Sequence, residues 1–126
     1  MGDSINKLKP KVVGTITQRV IDILGVTHIS ANTPILLGPT NINHMKNTHK
    51  DDFEKYFPEL ENILASPDYV NLHPLDGSIQ YIKVFAAHVM VGVRVSSKGT
   101  VFARTIFEMS EQKVETYRNK NLLKKY

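Results

Sequence analysis

Ten consecutive residues, Asn41-Ile42-Asn43-His44-Met45-Lys46-Asn47-Thr48-His49-Lys50, hold two histidines, two lysines and three asparagines. A β-rich second half of the chain adds Tyr81, Lys83, Arg94 and Arg104. This inventory suits cleavage of a phosphodiester without a metal. Such a reaction needs a general base, a general acid and fixed positive charge around the phosphate.

On an ideal helix Ile42, Met45 and His49 share one side, whereas Asn41, His44 and Thr48 share another. His44 therefore sits on a polar stripe and is the better placed for proton transfer, since imidazole titrates near neutrality. His49 fits two descriptions equally, a second proton-transfer group or a half-buried, hydrogen-bonded residue at a helix end. The two histidines are five residues apart, which is the wrong separation for two metal ligands on one helix face. No carboxylate stands in an H-E-x-x-H arrangement. His28, His73 and His88 are isolated in sequence and read as ordinary surface or core residues. Nucleophile elbows, Walker loops and dinucleotide fingerprints are absent. No metal site and no cofactor is expected.

The elements that must position these groups can be read from caps and periodicity. Residues 1–11 are polar and basic and read as a flexible lead-in, with a single domain over 12–126. Thr17 caps a short helix carrying Val20, Ile23 and Leu24, with Gly25 just past its end. Pro34-Ile35-Leu36-Leu37 is a short strand stopped by Gly38-Pro39. Thr40 or Asn41 then caps a helix through about Thr48. Asp51 and Glu54 resemble a capping box for the next, which Pro58 interrupts. Ser66-Pro67-Asp68 closes the helical part. Tyr69 to His73, Ser78 to Phe85, Val89 to Ser96 and Thr100 to Glu108 are strands joined by short turns, hence an antiparallel meander. Ser110 caps a final helix to about Lys120. The expected class is α+β, with N-terminal helices packed on one face of a C-terminal antiparallel sheet.

Alternation divides the sheet. One parity, with Ile82, Val84, Val91, Val93, Val95, Val101, Ala103, Thr105 and Phe107, is expected to face the helices. The other, with Tyr81, Lys83, Gly92, Arg94, Phe102 and Arg104, would be open. Cations interleaved with rings suit RNA, since the cations hold phosphates and the rings stack on unpaired bases. The alternative is a solvated face whose lysine and arginines serve solubility. Lys46, Tyr81, Arg94 and Phe102 are the expected substrate contacts. Strict alternation separates Arg104 from Thr105, and only a bulge would bring both to one cleft.

Bulk properties frame this picture without deciding it. The chain has 126 residues, 16 Lys+Arg against 12 Asp+Glu, and a net charge of +4. That length accommodates one domain with a real core. The mild basic excess fits an anionic partner. Cysteine is absent, which removes thiolate chemistry and fits a reducing cytosol. No segment has the apolar length of a membrane span. Residues 1–11 lack a signal-peptide core, and Asn6 breaks the myristoylation pattern.

The order of Ile35-Leu36-Leu37, Asn41-Ile42-Asn43-His44-Met45 to His49, Ser66-Pro67-Asp68-Tyr69, Ser78-Ile79-Gln80-Tyr81-Ile82-Lys83, Val91-Gly92-Val93-Arg94-Val95 and Phe102-Ala103-Arg104-Thr105 resembles the phage-associated branch of the barnase–EndoU–colicin–RelE nuclease superfamily. The likeness runs from about Val13 to the end. It implies a barnase/RelE-like fold and a metal-independent ribonuclease, phage-borne or of toxin type. His44, His49, Lys83 and the pair Arg104-Thr105 fall on the family's catalytic positions. The implied partners are RNA, including tRNA or ribosome-associated RNA, and an inhibitory immunity or antitoxin protein. The implied setting is a bacterial cytoplasm. Two other classes fit the same residues, a non-catalytic nucleic-acid-binding module and a phage structural or interaction protein with a degenerate nuclease fold.

Overall fold

A computed structural model describes residues 9–126. Most of the expected lead-in therefore lies outside the described residues, but its end does not. Lys11–Thr15 is strand β1, an edge strand of a seven-stranded mixed sheet. The other strands are β2 (Pro34–Leu37), β3 (Tyr69–Leu72), β4 (Ile79–Val84), β5 (His88–Val95), β6 (Val101–Glu108) and β7 (Lys124–Lys125). Their order across the sheet is β1-β2-β6-β5-β4-β3-β7. From β3 to β6 the strands form the expected antiparallel meander. The N-terminal hairpin widens it by joining β6 in parallel through Ile35 and Leu36. The class is α+β as expected, with one parallel pair in a sheet that was expected to be wholly antiparallel.

Five α-helices occur among the described residues: α1 (Gln18–Leu24), α2 (Pro39–Thr48), α3 (Lys50–Tyr56), α4 (Leu60–Ala65) and α5 (Glu111–Asn119). Local chemistry sets their ends. The Thr17 side chain accepts from the Val20 N–H and starts α1, and Gly25 at φ 68° ends it. Gly38 rather than Thr40 or Asn41 is the N-cap of α2. Pro39 takes the first helical position, and the Asn41 carbonyl reaches back to accept from the Gly38 N–H at 2.8 Å. Pro58 forces the chain between α3 and α4 into a 3₁₀ turn over Phe57–Glu59. Ser110 caps α5 through the Lys113 N–H.

One sheet face is filled by α1 and α4, through Val20, Leu60, Ile63 and Leu64, over Ile79, Tyr81, Val89, Val91, Val93, Val101, Ala103 and Ile106. The expected parity holds for β5 but is reversed in β4. Tyr81 pairs with Val91 and Lys83 with Val89, so both point toward the packed side, and Ile82 pairs with Met90 on the other. Tyr81 is only 1% exposed. The reversal arises because alternation fixes two faces within a strand but not which face meets a neighbouring strand. In β6 the register shifts between Gly92 and Val93. Gly92 pairs with Thr105 but Val93 pairs with Ala103, leaving Arg104 as the extra residue of a bulge. Beyond the bulge Thr105 and Phe107 move to the second face and Ile106 takes the packed one.

That second face is not left open along its length. A separate cluster of Ile82, Met90, Met109, Val114 and Tyr117 seats α5 on it. Val114 and Tyr117, one helical turn apart, need an apolar partner, and Ile82 and Met90 supply it. Strand β2 pairs with β6 only at Val101 and Phe102. The rest of that edge is bordered by α2 and α3. There Asp52 accepts the Glu108 N–H at 3.1 Å, and the Tyr56 hydroxyl donates to Glu108 at 2.6 Å. That hydrogen bond holds the Glu108 carboxyl below its ordinary range and raises the Tyr56 hydroxyl. What remains uncovered is the middle of the second face, between α2 and α5.

Candidate active site

A cleft of about 270 Å³ occupies this gap. Its floor is a row of residues paired across β4, β5 and β6, Gln80 with Gly92 and Gly92 with Thr105. Asn71 of β3 pairs with Gln80 just beyond it. The glycine is a steric necessity here. A Cβ at position 92 would lie 2.7 Å from the Thr105 methyl carbon and 3.6 Å from the Met90 sulfur. The bulge and the glycine act together, one turning Thr105 to this face and the other making room for it.

The walls come from three places. Helix α2 contributes His44, which lies on the exposed stripe of the helix while Met45 is fully buried on the other side. Strands β5 and β6 contribute Arg94, Arg104 and Phe107, and α5 contributes Lys113 and Tyr117. The turn between β3 and β4 contributes His73, Asp76 and Ser78. That turn is closed by His73 and Ser78 backbone bonds and by Gly77 at φ 71°. Asp76 organises it. One carboxylate oxygen accepts from the Ser78 N–H and hydroxyl, and the other meets Arg94 at 3.2 Å. The Ser78 hydrogen bonds, with help from His73 and Arg94, hold the Asp76 carboxyl below the usual range. Asp76 thus ties Arg94 to the turn across the mouth of the cleft.

Of the residues expected from sequence, His44, Arg94, Arg104 and Thr105 meet in this one cleft. Phe102 lines an adjoining hollow that shares Arg94 and Arg104 with it and adds Asn41 and Ser96. His49 stands behind the wall. Its ring stacks on Phe107 with centroids 4.5 Å apart. Lys46 lies over the Phe53 ring at 5.6 Å, away from the cleft. Tyr81 and Lys83 point to the opposite face. The Tyr81 hydroxyl is buried without a hydrogen-bond partner among the described residues, and burial pushes its pKa up. The Lys83 ammonium donates to the Ser66 carbonyl at 2.7 Å. Both placements correct the expected open face and follow from the reversed parity of β4.

Several cleft residues escaped sequence reasoning. His73 was set aside as isolated. Its Nδ1 accepts from the Leu75 and Asp76 N–H groups at 3.1 and 3.4 Å, which presents a ring at the cleft from a hairpin turn. Gln80 and Ser78 were hidden by the parity error in β4. Lys113 and Tyr117 were missed because α5 was not assigned to the second face. The apolar pair Val114 and Tyr117 behind Met109 was the available signal. Among the described residues no three His, Cys, Asp or Glu side chains gather as a metal-binding group.

The arrangement places two imidazoles, two guanidiniums, an ammonium and several hydroxyls around one concave surface. Guanidiniums are suited to bidentate contact with phosphate oxygens, and an imidazole beside them can move a proton. No helix among the described residues is long and apolar enough to cross a membrane. No curated protein and no solved structure matches the chain. Residues 10–116 match the family described as phage-Barnase-EndoU-ColicinE5/D-RelE like nuclease 3. That span takes in β1 and the sheet through to α5, with His44, the Arg104 bulge and the β3–β4 turn. The chain belongs to this family of phage-associated nucleases.

Proposed function

We propose that the protein is a metal-independent ribonuclease that cleaves by attack of the ribose 2′-hydroxyl, phage- or prophage-borne or of toxin type, and acting in a bacterial cytoplasm. The observation that carries the reading is the meeting of His44 with Arg94, Arg104 and Thr105 in one cleft on an otherwise covered sheet. His44 takes the proton of the 2′-hydroxyl. The 2′-oxygen forms a bond to phosphorus as the bond to the 5′-oxygen breaks, leaving a 2′,3′-cyclic phosphate and a 5′-hydroxyl. Arg94 and Arg104 stabilise the charge that gathers on the non-bridging oxygens, the larger contribution. The Thr105 hydroxyl donates to the same phosphate. The leaving 5′-oxygen takes its proton from solvent, because His49 is stacked on Phe107 behind the wall. Tyr81 has no part, because it sits under the other face.

Lys113 on the exposed side of α5 adds a cation to the rim, which suits a polyanion running across the cleft. A non-catalytic binding module would keep the cations but has no need of an imidazole among them. RNA is the proposed partner, with an inhibitory immunity or antitoxin protein as its counterpart in a toxin setting.

The test is incubation of the purified protein with an RNA and a DNA of one sequence in excess EDTA. The expected result is cut RNA and intact DNA, because DNA lacks the nucleophile. Cleavage of the DNA, or loss of RNA cleavage on adding EDTA, would refute the reading.

A further inference from the structure

Two amides are buried side by side, Gln80 at 4% exposure in the cleft floor and its strand partner Asn71 at 1% beside it. Burying amides is costly unless they are hydrogen-bonded, and this pair is only partly satisfied. The Asn71 nitrogen donates to Gln80 Oε1 at 2.7 Å and to the Leu72 carbonyl at 3.3 Å, while Asn71 Oδ1 has no partner among the described residues. The Leu72 carbonyl can only accept, so it fixes which end of the Asn71 amide faces Gln80. Gln80 must then answer with its oxygen. Its NH₂ group has no hydrogen-bond partner among the described residues and belongs to a side chain that lines the cleft. The His73 ring beside it is constrained in the same sense. With Nδ1 accepting backbone N–H groups, the neutral ring carries its proton on Nε2. Both side chains then present an N–H donor.

The phosphate has Arg94 and Arg104 at hand and does not need a neutral amide. In the next row of the floor lie Met90 and Phe107, an apolar surface for a flat ring with a polar edge. Resting on the proposed ribonuclease reading, we infer that Gln80 reads the nucleobase. Its side-chain nitrogen, set by Asn71, donates to the carbonyl oxygen at C4 of uracil or C6 of guanine. The cleft therefore takes uracil or guanine in preference to cytosine or adenine, whose amino groups at the equivalent position would meet donor with donor.

The experiment is calorimetric titration of the full chain with the 3′-monophosphates of uridine, guanosine, cytidine and adenosine, for wild type and Gln80→Glu. The substitution keeps an oxygen for Asn71 and replaces the free donor by an acceptor. Wild type is expected to bind the uridine or guanosine nucleotide about tenfold more tightly than the other two. Gln80→Glu is expected to lose that preference or invert it, with an unchanged circular dichroism spectrum. Equal binding of all four by wild type, a preference untouched in the folded variant, or no binding of any of the four would overturn the inference. The outcome is separable from the catalytic reading. Cleavage of RNA with no base preference in binding sinks this inference alone, whereas selective binding without cleavage sinks the ribonuclease alone.

Discussion

Gly92→Ala is expected to separate activity from stability. The added Cβ would stand 2.7 Å from the Thr105 methyl, about 1 Å inside the favourable carbon–carbon separation of roughly 3.5–4.0 Å. Overpacking of this kind costs about 1–3 kcal/mol. Replacing a strand-interior glycine by alanine returns about 0.5–1 kcal/mol of backbone entropy. The net destabilisation expected from urea unfolding is therefore between about 0 and 2.5 kcal/mol. The catalytic effect is larger, because relief requires Thr105 to turn about χ1 or β6 to shift by most of an ångström. A displacement of that size at reacting groups can cost about 10²-fold in rate. Initial rates on RNA, measured beside the unfolding curves, should thus fall about 100-fold in a protein that remains folded. Thr105→Ser, which removes the methyl and keeps the hydroxyl, should restore much of the rate when combined with Gly92→Ala. Full activity in Gly92→Ala, or no rescue in the double variant, would refute the coupling of the glycine to the bulge.

Tyr81→Phe removes a buried hydroxyl that has no partner among the described residues. It should leave RNA cleavage unchanged and raise stability by up to about 1–3 kcal/mol in denaturant titrations, and a loss of activity would contradict the placement under the packed face. Because burial raises the Tyr81 pKa in the folded state, its neutral form contributes stability fully below the unfolded value of about 10, and that contribution is lost as the pH rises beyond it. Tyr81→Phe should flatten this alkaline fall. Asp76 has the opposite sign. Its folded pKa is lowered, so its contribution is full above the unfolded value of about 3.9 and disappears as the pH falls through the lowered folded value. Asp76→Asn should therefore cost stability at neutral pH, with a difference from wild type that narrows in acid. It should also raise KM by freeing Arg94. Lys83→Met breaks the tie to the Ser66 carbonyl and should change the melting temperature but not kcat, and a large fall in kcat would return Lys83 to the site.

Much of the fold was written in short-range signals. Thr17, Gly25, Pro58 and Ser110 each act on backbone within four residues, so their effects could be read without knowing the tertiary structure. The meander followed from turns too short to do anything but reverse the chain. Errors arose where two segments had to be aligned with each other. The faces of β4 and β5 were matched one residue out, which sent Tyr81 and Lys83 to the wrong side and concealed Gln80. Strand β1 was overlooked because Lys11-Val12-Val13-Gly14-Thr15 is short, and its ladder depends on pairing with the distant Pro34–Leu37. For the site, His44 was legible because a helix fixes its own polar stripe. The condition for Arg104 and Thr105 to share a cleft was a bulge, and the register shift at Gly92 supplies it. Nothing in the local sequence locates that bulge except the glycine opposite. His73 could not be found by spacing, since it reaches the cleft only through the pairing of β3 with β4.

Chemical mapping of the RNA ends made by wild type and by His44→Ala in excess EDTA bears most directly on the central claim. The expected products are 2′,3′-cyclic phosphate and 5′-hydroxyl ends, formed about 10²- to 10⁴-fold more slowly by the variant. Ends carrying a 5′-phosphate, or equal rates for the two proteins, would contradict attack by the 2′-hydroxyl under His44 control.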